Sequence, residues 1–184
     1  MALHLRNSDS AYGLVAQLLH WLIVAGVLLQ FVWAWRIDEA GSVRQEFALV
    51  NQHKSIGMTI LGLVLLRLVW RAFNRPPPLP EERPRWERAV ASATHWVLYG
   101  LILAMPLSGW VYTSAAGYGA EFFGLVEIPD LVGSSERLEE AFEEVHETLA
   151  GVLAGVALLH AAAALRHHFV LRDDVLRRMV PFRR

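Results

Sequence analysis

Four long apolar stretches, separated by polar connections, dominate the pattern of this 184-residue chain. Each is roughly 20–25 residues long, the length a helix needs to cross the hydrocarbon core of a bilayer. The pattern predicts spans over residues 12–36, 47–73, 90–114 and 145–169. The first follows Arg6 and resembles a signal peptide in that respect, but it is too long for one. It also runs into FVWAWRIDEA with no small-residue cleavage site, so it reads as a retained span. These segments use up most of the chain and leave no room for a separate soluble domain. The expected fold is all-α, a transmembrane four-helix bundle forming a single integral-membrane unit over residues 1–184.

The connections differ in character. NRPPPLPEERPR, between spans two and three, is too rich in proline for a helix interior and reads as a short stiff linker. The connection before span four is the longest and holds Glu121, Glu127, Asp130, Glu136, Glu139, Glu140, Glu143 and Glu144. Its second half predicts a helix. Ser134 or Ser135 can cap it, and Leu138, Phe142, Val145 and Leu149 fall at i, i+4, i+7 and i+11. This helix should run directly into span four.

Apolar residues form 54% of the chain, charged residues 19%, and the net charge is only −1. That near-balance conceals an uneven distribution. Arg6, Arg71, Arg75, Arg83, Arg85, Arg88, Arg166, Arg172, Arg177, Arg178, Arg183 and Arg184 lie on one side of the four spans. Arg36, Arg44, Arg137 and Lys54 lie on the other. Lys/Arg excess marks the cytoplasmic side, so both termini are expected there. Trp33 and Trp35, Trp70 and Trp96, and Trp110 and Tyr112 fit as interfacial anchors at the same boundaries. Cysteine is absent, which excludes disulfides, thiolate metal sites, iron–sulfur clusters and covalently attached c-type haem.

The chemistry lies in the histidines, which are rare in membrane helices because a polar ring needs a partner there. His146 and His160 are fourteen residues apart in the last span. That is almost four whole turns, so both rings leave nearly one face, about 21 Å apart along the axis. His20 lies about eight residues into span one, roughly 12 Å from the inside surface, and His160 lies at a similar depth. His53 enters span two from the outside, and His146 opens span four on that same side. Depth thus pairs His20 with His160 and His53 with His146. Two imidazoles with no carboxylate or thiolate at either level make a poor zinc site but suitable axial ligands for haem iron. A bis-histidine iron transfers electrons and binds small ligands poorly, which implies transmembrane electron transfer.

Other residues fit this reading with alternatives open. Gly57, Gly62, Gly151, Gly155 and the alanines Ala161 to Ala164 leave room against a flat ring, or serve helix packing, as the G-x-x-x-G spacing of Gly151 and Gly155 suggests. Arg67 lies fourteen residues after His53 and can neutralise a haem propionate at the inner level, or snorkel to the headgroups. Lys54 can play the propionate role outside. His95 stands near the inner pair and can accept a proton, contact a quinone carbonyl, or be a plain interfacial residue. His167 competes as an inner ligand, His168 is expected to face solvent, and His4 is expected to be a tail residue.

HWLIVAG around His20, QHKSIG around His53, HWVLYGLILAMPLSGW, and HETLAG with LLHAAAAL and the following HH closely resemble the bacterial cytochrome b561 family over nearly the whole chain. The resemblance implies a four-helix, di-haem b cytochrome of the bacterial inner membrane that exchanges electrons with ubiquinone. Its ligand positions correspond to His20, His53, His146 and His160, and its histidine at the start of the third helix to His95. One relative is similar to a superoxide oxidase, which would make periplasmic superoxide the donor. The strongly acidic outer connections depart from what steering a small anion requires, and equally suit a basic redox protein. Alternatives are a haem-bearing anchor subunit of a hydrogenase-type or formate-dehydrogenase-type oxidoreductase and a haem-free histidine-relay transporter. A purely structural role for the histidines gives no reason for their spacing. Membrane lipid is the expected surrounding, and no nucleic acid is expected as a partner.

Overall fold

The computed structural model describes residues 4–78 and 84–180. Arg83, Arg183, Arg184 and the middle of the proline-rich connection lie outside the described residues. Four helices dominate: α1 (Leu14–Asp38), α2 (Val43–Phe73), α3 (Arg85–Ala116) and α4 (Glu136–Arg166). All four are long and apolar enough to cross a membrane. Helix α4 continues into a π-helical turn, His167–Leu171, followed by a short 3₁₀ turn, Arg177–Met179.

The helix ends follow local chemistry. Ser42 caps α2 by accepting from the Gln45 amide, and Ser135 caps α4 by accepting from the Leu138 amide. Each satisfies a donor that a helix N-terminus leaves unpaired. Helix α4 therefore starts at the acidic segment and passes without a break into the apolar stretch. Helix α3 ends at Gly117, whose φ of 73° is open to glycine and strained for other residues. At the start of the chain, Asn7 accepts from the Gly13 amide at 2.9 Å and donates to the Asn74 carbonyl at 3.1 Å. It thereby ties the entrance of α1 to the exit of α2.

Helix α1 packs on α2, α2 on α3, and α3 on α4. Ile23, Ile60 and Val64 form the core of the α1–α2 contact, flanked by Val27, Ile56, Tyr99 and Ile102. Gly26 permits the approach: a Cβ there would lie 2.9 Å from Ile60 Cγ1. Exposure is inverted relative to a water-soluble protein. Ser55 and Ser114 are 1% exposed, whereas Leu158 and Leu159 are 70% and 71% exposed. An apolar exterior around a polar-containing interior is matched to lipid. Gly62, Gly151 and Gly155 have open space where a Cβ would stand, so within the chain they seat no neighbouring helix.

The long connection contains an element the hydropathy pattern does not reveal. Strands β1 (Ala120–Phe122) and β2 (Val126–Ile128) pair antiparallel, with Glu121 opposite Glu127. The turn places Phe123 and Gly124 at φ 51° and 70°, the left-handed pair of a type I′ turn. Buried Ser55 of α2 holds it, accepting from the Phe123 amide at 2.9 Å and sharing its hydroxyl between the carbonyls of Asn51 at 2.9 Å and Glu121 at 3.1 Å. We refer to this side as the hairpin end and to the opposite side as the terminal end.

Candidate cofactor site

At the hairpin end, α2 brings His53 and α4 brings His146 to a ring-centroid separation of 6.2 Å with planes at 73°. His146 lies against the backbone of α3 at Gly109, where an added Cβ would be 2.9 Å from its Cε1. Its Nδ1 is 3.0 Å from Ser108 Oγ. The Nδ1 of His53 is buried without a hydrogen-bond partner. Gln30 of α1 donates to the His53 carbonyl at 3.0 Å, while its own Oε1 is buried and unpartnered. Beside the two rings is a cavity of about 460 Å³ walled by side chains including Val27, Met58, Ile102, Met105 and Leu153. Asp38, Glu46, Glu143 and Glu147 also line it. Lys54 reaches it too, although its Nζ donates to the Gly119 carbonyl at 3.1 Å.

At the terminal end, His20 of α1 faces His160 of α4 at 6.4 Å, planes at 81°. His95 of α3 joins them, 5.3 Å from the His160 ring. Arg67 donates from Nη1 to the Ala16 carbonyl at 2.6 Å and from Nε to the Tyr99 hydroxyl at 3.1 Å. Arg71 lies over Trp96 and Tyr99, at 5.2 and 5.7 Å. His167 is paired instead with Asp173, Nδ1 to Oδ2 at 2.6 Å. His168 is half-buried rather than solvent-facing, with Nδ1 unpartnered. His4 contributes a backbone carbonyl to the Leu14 amide at 3.0 Å.

The C-terminal segment closes this end. Gln17 donates to the Arg178 carbonyl at 3.1 Å, and Trp21 Nε1 donates to the Met179 carbonyl at 2.7 Å. The sequence reading passed over Ser108, Gly109 and Gln30. The signal for Ser108 was a lone small hydroxyl inside the apolar run LAMPLSGW; nothing in the sequence told Gly109 apart from the other glycines.

Charge separates the two ends. Asp38, Glu39, Glu46, Glu121, Glu127 and Asp130, with the six glutamates of α4, lie at the hairpin end, where the cations are Arg36, Arg44, Lys54 and Arg137. Among the described residues, no group of three or more His, Cys, Asp or Glu side chains could hold a bare metal ion. Each level offers two imidazoles facing one another, a donor set suited to a metal whose remaining ligands come from a macrocycle.

A bundle of membrane-length helices with histidines paired at two levels describes a class of membrane cytochromes. The sequence comparisons agree: the profile described as prokaryotic cytochrome b561 matches residues 11–182, and the chain belongs to that family. It is 30% identical over 178 residues to "Cytochrome b561 homolog 2" of Escherichia coli K12, covering 95% of this chain and 93% of the relative. It is 34% identical over 170 residues to "Probable superoxide oxidase CybB" of Yersinia pestis, covering 90% and 93%. "Cytochrome b562" of Cereibacter sphaeroides is 29% identical over 179 residues, covering 95% and 98%. The protein is therefore a haem b cytochrome of electron transport and a multi-pass bacterial membrane protein. Membership removes the haem-free transporter reading.

Proposed function

We propose that the protein is a di-haem cytochrome in which His20 and His160 hold one haem b and His53 and His146 the other. In this reading it carries electrons between a donor at the hairpin end and ubiquinone at the terminal end. The observation that carries the reading is the ring separation at the two levels, 6.2 and 6.4 Å. Two imidazoles that shared one metal ion, with bonds of about 2.0–2.1 Å and ring centres about 1.1 Å beyond each nitrogen, would have centroids at most roughly 6.2–6.4 Å apart. Edge-to-face packing alone permits such a distance, but it does not call for an adjoining 460 Å³ cavity.

Haem held this way supplies a one-electron carrier with no open coordination position. The chain's own residues do the rest. Gly109 gives His146 room to lie flat on α3. Arg67, with no carboxylate partner among the described ion pairs, is a fixed positive charge for a propionate at the terminal level, and Lys54 has the same role at the hairpin level. His95 is placed to contact a quinone carbonyl or exchange its proton. The arginine excess puts the terminal end in the cytoplasm and the hairpin in the periplasm. The test is a reduced-minus-oxidised spectrum with pyridine haemochrome quantitation. Two haems per chain are expected, and alanine at any one of the four histidines should leave about one. A colourless preparation, or pigment that survives all four substitutions, would end the reading.

Two donors fit. The Yersinia relative's name points to superoxide. The carboxylates lining the hairpin-end cavity point instead to a cationic redox protein, because a negative surface repels a small anion and steers a basic partner. Stopped-flow superoxide decay in the presence of ubiquinone decides between them.

A further inference from the structure

Ser108 is 4% exposed, and its Oγ lies 2.8 Å from the Met105 carbonyl oxygen and 3.0 Å from His146 Nδ1. The Met105 carbonyl can only accept, and it is shared: both the Ser108 hydroxyl and the His146 ring hydrogen-bond to it, so the single hydroxyl proton points to Met105. The serine oxygen then meets the imidazole with a lone pair, Nδ1 must carry the hydrogen, and the Nε2 lone pair is left free. The neighbouring Gly109 holds the ring against α3 in this orientation, since any side chain there would displace it. The facing ring has no counterpart: His53 Nδ1 is buried with no partner.

We propose that Ser108 is a positioning residue. It fixes His146 in the tautomer that ligates through Nε2 and makes it the stronger donor of the two imidazoles at the hairpin level. The proposal rests on the assignment of His53 and His146 as a haem pair. An acceptor on the distal N–H raises the basicity of the ligating nitrogen, and such outer partners are typically worth about 10–100-fold in metal affinity. A more basic imidazole favours the oxidised over the reduced iron, so removing the hydroxyl raises the potential of that haem alone.

The experiment is potentiometric titration of the purified protein, followed in the visible band, for wild type, Ser108→Ala and Ser108→Thr. The hairpin-level component is identified in a His20→Ala background, which keeps only that haem. Ser108→Ala should move it up by about 60 mV, a tenfold relative loss for the oxidised form at roughly 59 mV per decade. Ser108→Thr, which keeps the hydroxyl, should restore it. Unchanged potentials with both haems retained overturn the proposal. If Ser108→Ala sheds the hairpin-level haem, Ser108→Thr must retain it at the wild-type potential; loss in both variants assigns the effect to packing and overturns the proposal too. Failure of the underlying assignment looks different: His53→Ala and His146→Ala would leave the haem content of the wild type unaltered.

Discussion

At the terminal end three imidazoles, His20, His95 and His160, cluster near the half-buried Arg67 guanidinium, and the C-terminal segment bonds to α1 beside them. At the hairpin end two imidazoles stand beside a cavity lined by four carboxylates, and the nearby lysine is tied back to the Gly119 carbonyl. The histidine spacing is alike at the two levels, but the electrical surroundings are opposite. Fixed positive charge stabilises an added electron and negative charge destabilises it. With haem at both levels, as proposed, these surroundings favour an electron on the terminal-level haem over one on the hairpin-level haem.

The hairpin level is most vulnerable at Gly109. Gly109→Leu should push His146 aside and remove the hairpin-level haem, halving the pyridine haemochrome while the terminal-level spectrum persists. Loss of both haems would show that the levels are not independent. Next, Arg67→Gln should cost roughly 1.5–3 kcal/mol of stability, the usual worth of a charged hydrogen bond, and lower the potential of the terminal-level haem only. Thermal unfolding and redox titration check both parts.

Rates at the hairpin end should respond to salt. Transfer from a basic redox protein should fall about tenfold as ionic strength rises from low to physiological values, and superoxide oxidation should rise instead. Stopped-flow traces across a salt series read the sign. The smallest effect belongs to the hairpin, where Glu121 and Glu127 are directly opposed. Glu127→Lys should stabilise it by about 0.2–1 kcal/mol, seen as slower amide exchange over residues 120–128 with no spectral change.

Much of this was legible in the sequence, because helix geometry is regular enough to convert residue number into depth. The fourteen-residue interval between His146 and His160, and the positions of His20 and His53 in their spans, anticipated which rings meet. Ser42 and Ser135 act where a capping serine is expected. Features that depend on azimuth rather than depth stayed hidden. Gly109 and Gly151 look alike in the sequence, yet one abuts a ring and the other meets open space. The hairpin escaped notice because strands of three residues are too short to show a period, and because Ser55, far away in the chain, holds it. Arg67, for which a propionate and the headgroups were both open as partners, is held by a carbonyl and a tyrosine hydroxyl that its sequence position does not reveal.

Helix α4 contributes a ring to both levels, while the partners come from two different helices. The stretch from His146 to His160 therefore acts as a ruler of fixed length. Removing or adding a single residue within it would swing one imidazole about 100° around the axis relative to the other and shift it by about 1.5 Å. No sliding of the rod restores both matches together. This segment should tolerate exchanges of one apolar side chain for another far more readily than any change in its number of residues.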